Sequence, residues 1–310
     1  SKKGNIYFTD SRYIEEVKPA LKGIATLSES NGSVFKLIAD ACLSLGLRRV
    51  GFEERLLPFA EYKKIVQGVN KKVALVPTHG LIEELRQIKD SEELEKIKKA
   101  IAITGKAFKF MENFISPGKR EIEVVGELER FIRYQGATGS SFNIIVASGP
   151  NSSFPHHLPS QRKIKNNEPV LLDMGVDYLG YKSDLTRVFF LGKIKVQIQR
   201  IYDIVREAQN KALKKIKPNE FVAEIDKVSR QYIAKRGFGK FFGHNLGHGV
   251  GLEVHEEPRI SGEENNILKP GMVFTVEPAI YLPNKFGVRI EDMVLVTKKG
   301  CEVLSGAVNK

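Results

Sequence analysis

The sequence predicts an α+β protein in two domains, a small α/β unit over residues 1–88 and a larger domain over residues 89–310. Three observations lead there. The opening stretch alternates short β-type runs with a helical run. At Asp90 a long helical pattern begins behind a capping signal. From Ser141 onward strands and turns dominate, broken by two further helical stretches, so that helix-plus-hairpin blocks follow one another along the chain.

Taken in order, "NIYFT" and "KVALVP" are strand-like, while "SVFKLIADACLSLGL" has helical periodicity and leads into a strand-like "RRVGFE". Asp90 and Glu93 form a capping-box pair, and an apolar stripe of Leu94, Ile97, Ile101, Ile103 and Phe108 follows. "SPG" at 116–118 ends that helix, and "REIEVVGELERFIRYQG" reads as a second one. The later helical stretches cover 198–216 and 219–236.

The 310 residues suffice for two cores, and 42% hydrophobic with 28% charged residues is ordinary for a globular protein. No apolar run is long enough to cross a bilayer, and no secretory signal opens the chain. The two cysteines, Cys42 and Cys301, are far apart and form no motif, which points to a reducing cytoplasm. A net charge of +12 comes mostly from lysines scattered through helical segments. Without an aromatic-interleaved basic patch or a zinc-finger or RNA-recognition signature, this reads as a solvated basic surface, with no nucleic-acid partner.

Two hairpins carry acids in apolar strands. In "EPVLLDMGVDYLGYKSDLTRVFFLG", a turn centred on Tyr178–Leu179 sets Asp173 directly opposite Asp184, with Cβ atoms about 5 Å apart. In "GMVFTVEPAIYLPNKFGVRIEDMVLVT", a turn centred on Asn284 sets Glu277 opposite Glu291. Carboxylates facing each other repel, and a sequence accepts that when a cation sits between them or when one of them holds a proton. The alternative, that the acids alternate outward into solvent, conflicts with the buried-strand contexts "VLL" before Asp173 and "VFTV" before Glu277.

Between the hairpins lies "GHNLGHGVGLEVHEEP", with His244, His248 and His255 among four glycines. Four carboxylates plus imidazole suit Mn²⁺, with Co²⁺ or Zn²⁺ as alternatives. Such a set can hold two ions about 3.5–4 Å apart, which lower the pKa of a shared water and polarise a carbonyl. That is equipment for amide hydrolysis.

The order of Asp173 and Asp184, "HGVGLEVHE", "VFTVEP" and "VRIED" resembles the metal-dependent aminopeptidase P, prolidase and methionine aminopeptidase superfamily, whose catalytic fold is the pita bread. The resemblance covers roughly residues 86–310. It is strongest to the Xaa-Pro aminopeptidase/prolidase branch. "NSSFPHHLPSQRKI" is similar to that branch's histidine loop, and "NIYFTDSRY" to part of its creatinase-like N-terminal domain. In the family that domain begins well before such a segment, so here it is expected to be incomplete at its start.

The resemblance implies metal ligands at Asp173, Asp184, His248, Glu277 and Glu291. Asp184 and Glu291 would bridge both ions, Asp173 would serve one, and His248 with Glu277 the other. It gives Glu277 a second role as proton shuttle, His156 a hydrogen bond around the scissile amide, and His255 the stabilisation of the tetrahedral intermediate. His244 would line the pocket for proline, and Arg289, near the bridging glutamate, counts with His244 among the substrate-binding residues. His79 and His157 read as ordinary structural or exposed histidines, as does Tyr281, which could instead be a pocket wall.

The function so implied is a dinuclear Xaa-Pro aminopeptidase acting on proline-containing peptides, cytoplasmic and homodimeric. A strict dipeptidase (prolidase) is the alternative. Methionine aminopeptidase is disfavoured by the N-terminal domain. A non-peptidase relative of creatinase type is disfavoured because all five ligands are present.

Overall fold

The computed structural model describes residues 4–310, which divide into one compact unit up to Leu81 and another spanning Ile82–Lys310. In the first unit, strands Ile6–Thr9 and Thr26–Glu29 pair in parallel, as do Arg49–Glu53 and Ala74–Thr78. Parallel pairing requires crossovers; the short helix Ile14–Val17 lies in the first connection and Phe59–Val69 in the second, while Val34–Ser44 joins one pair to the next. Ala39, Cys42, Ile65, Val69 and Val73 form its small core. Helix Phe59–Val69 and strand Thr26–Glu29 are not anticipated from the sequence.

The larger unit consists of two halves, each a helix pair with antiparallel strands. The first begins with helix Ser91–Phe114, whose Asp90 accepts from the Glu93 amide while the Glu93 side chain accepts from the Asp90 amide. Ile97, Ile101, Ile103 and Phe108 are buried on its inner face, with Leu94 packed at the edge. The helix stops at Phe114, and Gly118 takes a left-handed φ of 94° in the connection. Helix Glu121–Tyr134 completes the pair. The core they share with the strands includes Met111, Leu128, Val170, Leu172 and Met174.

Helices Val196–Lys215 and Val222–Lys235 serve the second half, packing with Leu246, Phe274, Val276, Ile290 and Val294. The second of them starts three residues later than its periodicity suggests. Asn219 sits at a left-handed φ of 65°, which is incompatible with a right-handed helical start.

One antiparallel sheet orders its strands Leu185–Phe190, Pro169–Met174 and Ile145–Ser148. A five-stranded sheet runs Glu256–Ile260, Gly247–Gly249, Val273–Val276, Asp292–Val296 and Cys301–Val303. Pro169–Met174 and Val273–Val276 are buried along their whole length, which is why acids on or beside them cannot escape to water. Among the described residues, no helix is long and apolar enough to cross a membrane.

Candidate metal centre

The first hairpin has a register different from the one symmetry about Tyr178–Leu179 would give. Asp173 lies opposite Thr186 and, on its other side, Ile145; it does not pair with Asp184. The physical reason is the turn. Tyr178 pairs with Tyr181 around Leu179 and Gly180, both with positive φ (51° and 87°), so the turn centre is one residue later than expected. Asp184 falls two residues before Thr186, diagonal to Asp173 across the ladder.

The second hairpin keeps the register that symmetry about Asn284 requires. Ala279 pairs with Arg289 on one side and Val276 with Asp292 on the other, which leaves Glu277 and Glu291 facing each other where the ladder breaks. The break has a cause. The Glu277 amide donates to the Leu246 carbonyl (2.8 Å) and the Glu291 amide to the Thr186 carbonyl (3.2 Å), so each acid is tied to a neighbouring segment.

His248 comes from the short strand between them. Its amide donates to Thr275 Oγ1 (3.1 Å) and its Nδ1 pairs with the Gly249 carbonyl (3.1 Å), which turns Nε2 toward Glu277 Oε1 (3.4 Å) and Asp184 Oδ2 (3.6 Å). A Cβ on Gly247 would stand 1.9 Å from the Thr275 carbonyl oxygen, so glycine is what lets this strand approach so closely. One ligand atom each from Asp184, His248 and Glu291 lies within 4.8 Å of the others.

Arg289, expected among the substrate-binding residues, is 4% exposed. Its guanidinium donates to Asp173 Oδ2 (2.5 Å), Thr186 Oγ1 (2.9 Å) and the Tyr281 hydroxyl (2.5 Å). This geometry orients acids, and its donors point into protein. Thr186 is a residue that sequence reasoning misses: its hydroxyl donates to Glu291 Oε2 (2.7 Å) while accepting from Arg289. The only trace in the sequence is a polar residue in an apolar strand, two positions after Asp184.

The other histidines separate into two groups. The His255 ring stands 4.2 Å from that of His248, centroid to centroid. His244 Nε2 is 3.3 Å from the Tyr281 hydroxyl and its Nδ1 3.9 Å from Glu277. His156 is exposed, on the segment whose Pro155 carbonyl faces Arg289 (3.4 Å), and its charge is felt at His255. His79 pairs with Glu54 (3.0 Å) in the first unit, and His157 with Glu121 (2.9 Å) in the second.

Burial, reinforced by the surrounding carboxylates, raises the pKa values of Asp184 and Glu291 well above the ordinary range. Asp173 is also raised, by burial, although Arg289 opposes it. Burial acts on Glu277 too, but its hydrogen bond with His248 and the positive groups around it outweigh that and hold the carboxyl low. In turn Glu277 raises His248 against the effect of burial. His255 is lowered by burial and then by neighbouring His248, and His244 by burial. Asp173 Oδ1 is buried with no hydrogen-bond partner among the described residues. Mutually repelling buried acids, an orphaned carboxylate oxygen and a fixed imidazole make a donor set that fits divalent cations.

Comparison with known proteins agrees with this chemistry. The model of metallopeptidase family M24 matches residues 95–298, and that of the creatinase/prolidase N-terminal domain matches residues 1–88. The chain is 39% identical over 290 residues to the Xaa-Pro dipeptidase of Pyrococcus horikoshii, covering 93% of this chain and 82% of that one. Among solved structures it is similar to an Xaa-Pro dipeptidase from Bacillus anthracis, with a TM-score of 0.96 and 41% identity over 100% of this chain and 86% of that one. It is also similar to the X-Pro aminopeptidase from Thermotoga maritima, with a TM-score of 0.91 and 35% identity over 98% of this chain and 86% of that one.

Proposed function

The chain belongs to metallopeptidase family M24, with its pita-bread fold and creatinase-like N-terminal domain, and from that premise we propose that it hydrolyses the bond between an N-terminal residue and a following proline. The observation that carries this reading is the convergence of Asp184, His248 and Glu291, distant in sequence, to within 4.8 Å of one another.

Asp173, Asp184, His248, Glu277 and Glu291 would hold two divalent ions, Mn²⁺ on this reading, with Asp184 and Glu291 serving both. When bound, the ions supply Lewis acidity toward the carbonyl and a water of lowered pKa. Glu277 is the base that takes the proton of the attacking water and returns it to the proline nitrogen. His255, its pKa lowered so that it stays neutral, donates to the oxygen that gains charge in the transition state. His156 hydrogen-bonds around the scissile amide. His244 and Tyr281 line the proline pocket, and Arg289 fixes Asp173. Residues 1–88 form the N-terminal domain and 89–310 the catalytic domain of a cytoplasmic homodimer.

Aminopeptidase action on longer peptides is the reading expected from the sequence. The prolidase reading has at least equal support, because the Pyrococcus and Bacillus relatives are named Xaa-Pro dipeptidases. The test is hydrolysis of Ala-Pro, Ala-Pro-Ala and Met-Ala-Ala with Mn²⁺ present. Cleavage of Ala-Pro-Ala supports the aminopeptidase, and cleavage of Ala-Pro alone the dipeptidase. Cleavage of Met-Ala-Ala in preference to both would overturn proline specificity.

A further inference from the structure

Glu121 is a buried carboxylate outside the metal centre, with 0% exposure, at the first turn of helix Glu121–Tyr134. Its two oxygens accept from Ser148 N (2.8 Å), Ser148 Oγ (2.8 Å), Asn151 Nδ2 (3.0 and 3.1 Å), His157 Nε2 (2.9 Å), Ser160 N (3.1 Å) and Ser160 Oγ (2.6 Å). Every one of these donors belongs to residues 148–160. None of them is a free amide of the helix that Glu121 opens, so helix capping does not account for the arrangement. Burial opposes the ionisation of Glu121, yet the hydrogen bonds from Ser160, Ser148 and His157 outweigh it and hold the carboxyl below its usual range.

The residues it gathers are those that carry His156. The His157 amide closes a turn on the Phe154 carbonyl (3.3 Å), so Pro155 and His156 are the turn's two central residues. Pinning the His157 ring on Glu121 therefore fixes the end of the turn that presents His156. The other face of the same segment is clasped to the second acidic hairpin. Gly287 N donates to Ser152 Oγ (2.9 Å), and Arg289 reaches the Pro155 carbonyl (3.4 Å).

We infer that Glu121 is a positioning residue for the reaction, holding the 148–160 segment so that His156 is presented to the substrate amide. The inference rests on the role given to His156 above. Misplacing a positioned group by about 1 Å can cost two orders of magnitude in rate. Glu121→Gln keeps the shape but replaces one acceptor oxygen with an amide group, which cannot accept from the donors facing it.

The test is a double-mutant cycle on the Mn²⁺-loaded protein, with whichever of Ala-Pro and Ala-Pro-Ala the parent protein cleaves. Glu121→Gln is expected to lower kcat about 10-fold or more with bound metal unchanged. Combined with His156→Ala it should be no slower than His156→Ala alone, because both changes remove the same contribution. If the two losses multiply, or if Glu121→Gln leaves kcat unchanged, the inference is overturned. Loss of metal in Glu121→Gln would overturn it as well. A parent-like kcat in His156→Ala would instead remove the role of His156, and this inference with it. Should Glu121→Gln fail to fold, Ser160→Ala removes a single donor and must show the same non-additivity at smaller amplitude.

Discussion

Single side chains decide whether this centre holds metal and whether it turns over. Asp184→Ala removes a carboxylate whose neighbours, Glu291 and Asp173, already repel it in the buried cluster. The fold should survive, since a repulsion goes with the ligand, while activity is abolished and metal affinity falls steeply. Metal analysis of the purified variant beside its kinetics checks this, and parent-like turnover at saturating Mn²⁺ would sink the assignment. His255→Ala should behave differently, lowering kcat about 100-fold or more with metal content intact, because the lost donor acts mainly in the transition state. Metal loss in that variant would mean that His255 and His248 have exchanged roles. At this scale the acids and the histidine cluster are legible because charged residues in apolar strands demand an explanation. Thr186 and Glu121 are not legible. Threonine in a strand reads as an ordinary β-former, and glutamate in a first helical turn as an ordinary partner of the helix dipole.

At the scale of elements, the two hairpins show what a turn contributes. Pro283, Asn284 and Lys285 announce their turn, and the register they imply is the one observed. The first hairpin turns instead through Leu179 and Gly180; glycine marks a turn nearby, but leucine in the left-handed region is uncommon, so the sequence does not fix its centre to the residue. The observed turn makes Thr186 the partner of Asp173 yet leaves both aspartates at the same end of the ladder. Gly180→Val should therefore destabilise the protein by about 1–2 kcal/mol, from forcing a β-branched residue to the same left-handed φ. Denaturant unfolding of the variant measures this, and unchanged stability would contradict the role of the turn. Helix Ser91–Phe114, by contrast, is legible from cap to end, because its capping box and apolar stripe are local signals that tertiary packing reinforces.

For the whole molecule, the helix-plus-hairpin repetition visible in the sequence becomes two halves, each with its own core, whose strands bring the acids and His248 together. No single segment contains the site, so it exists only once both halves have folded. Its repelling acids also make metal a ligand of the folded state alone, which ties stability to occupancy. The most direct test follows Ala-Pro and Ala-Pro-Ala hydrolysis while the exhaustively chelated protein is titrated with Mn²⁺ and bound metal is counted. The account predicts no cleavage without metal and full activity on filling two sites per chain. Hydrolysis that persists after chelation, or two bound ions with neither peptide cleaved, would contradict it.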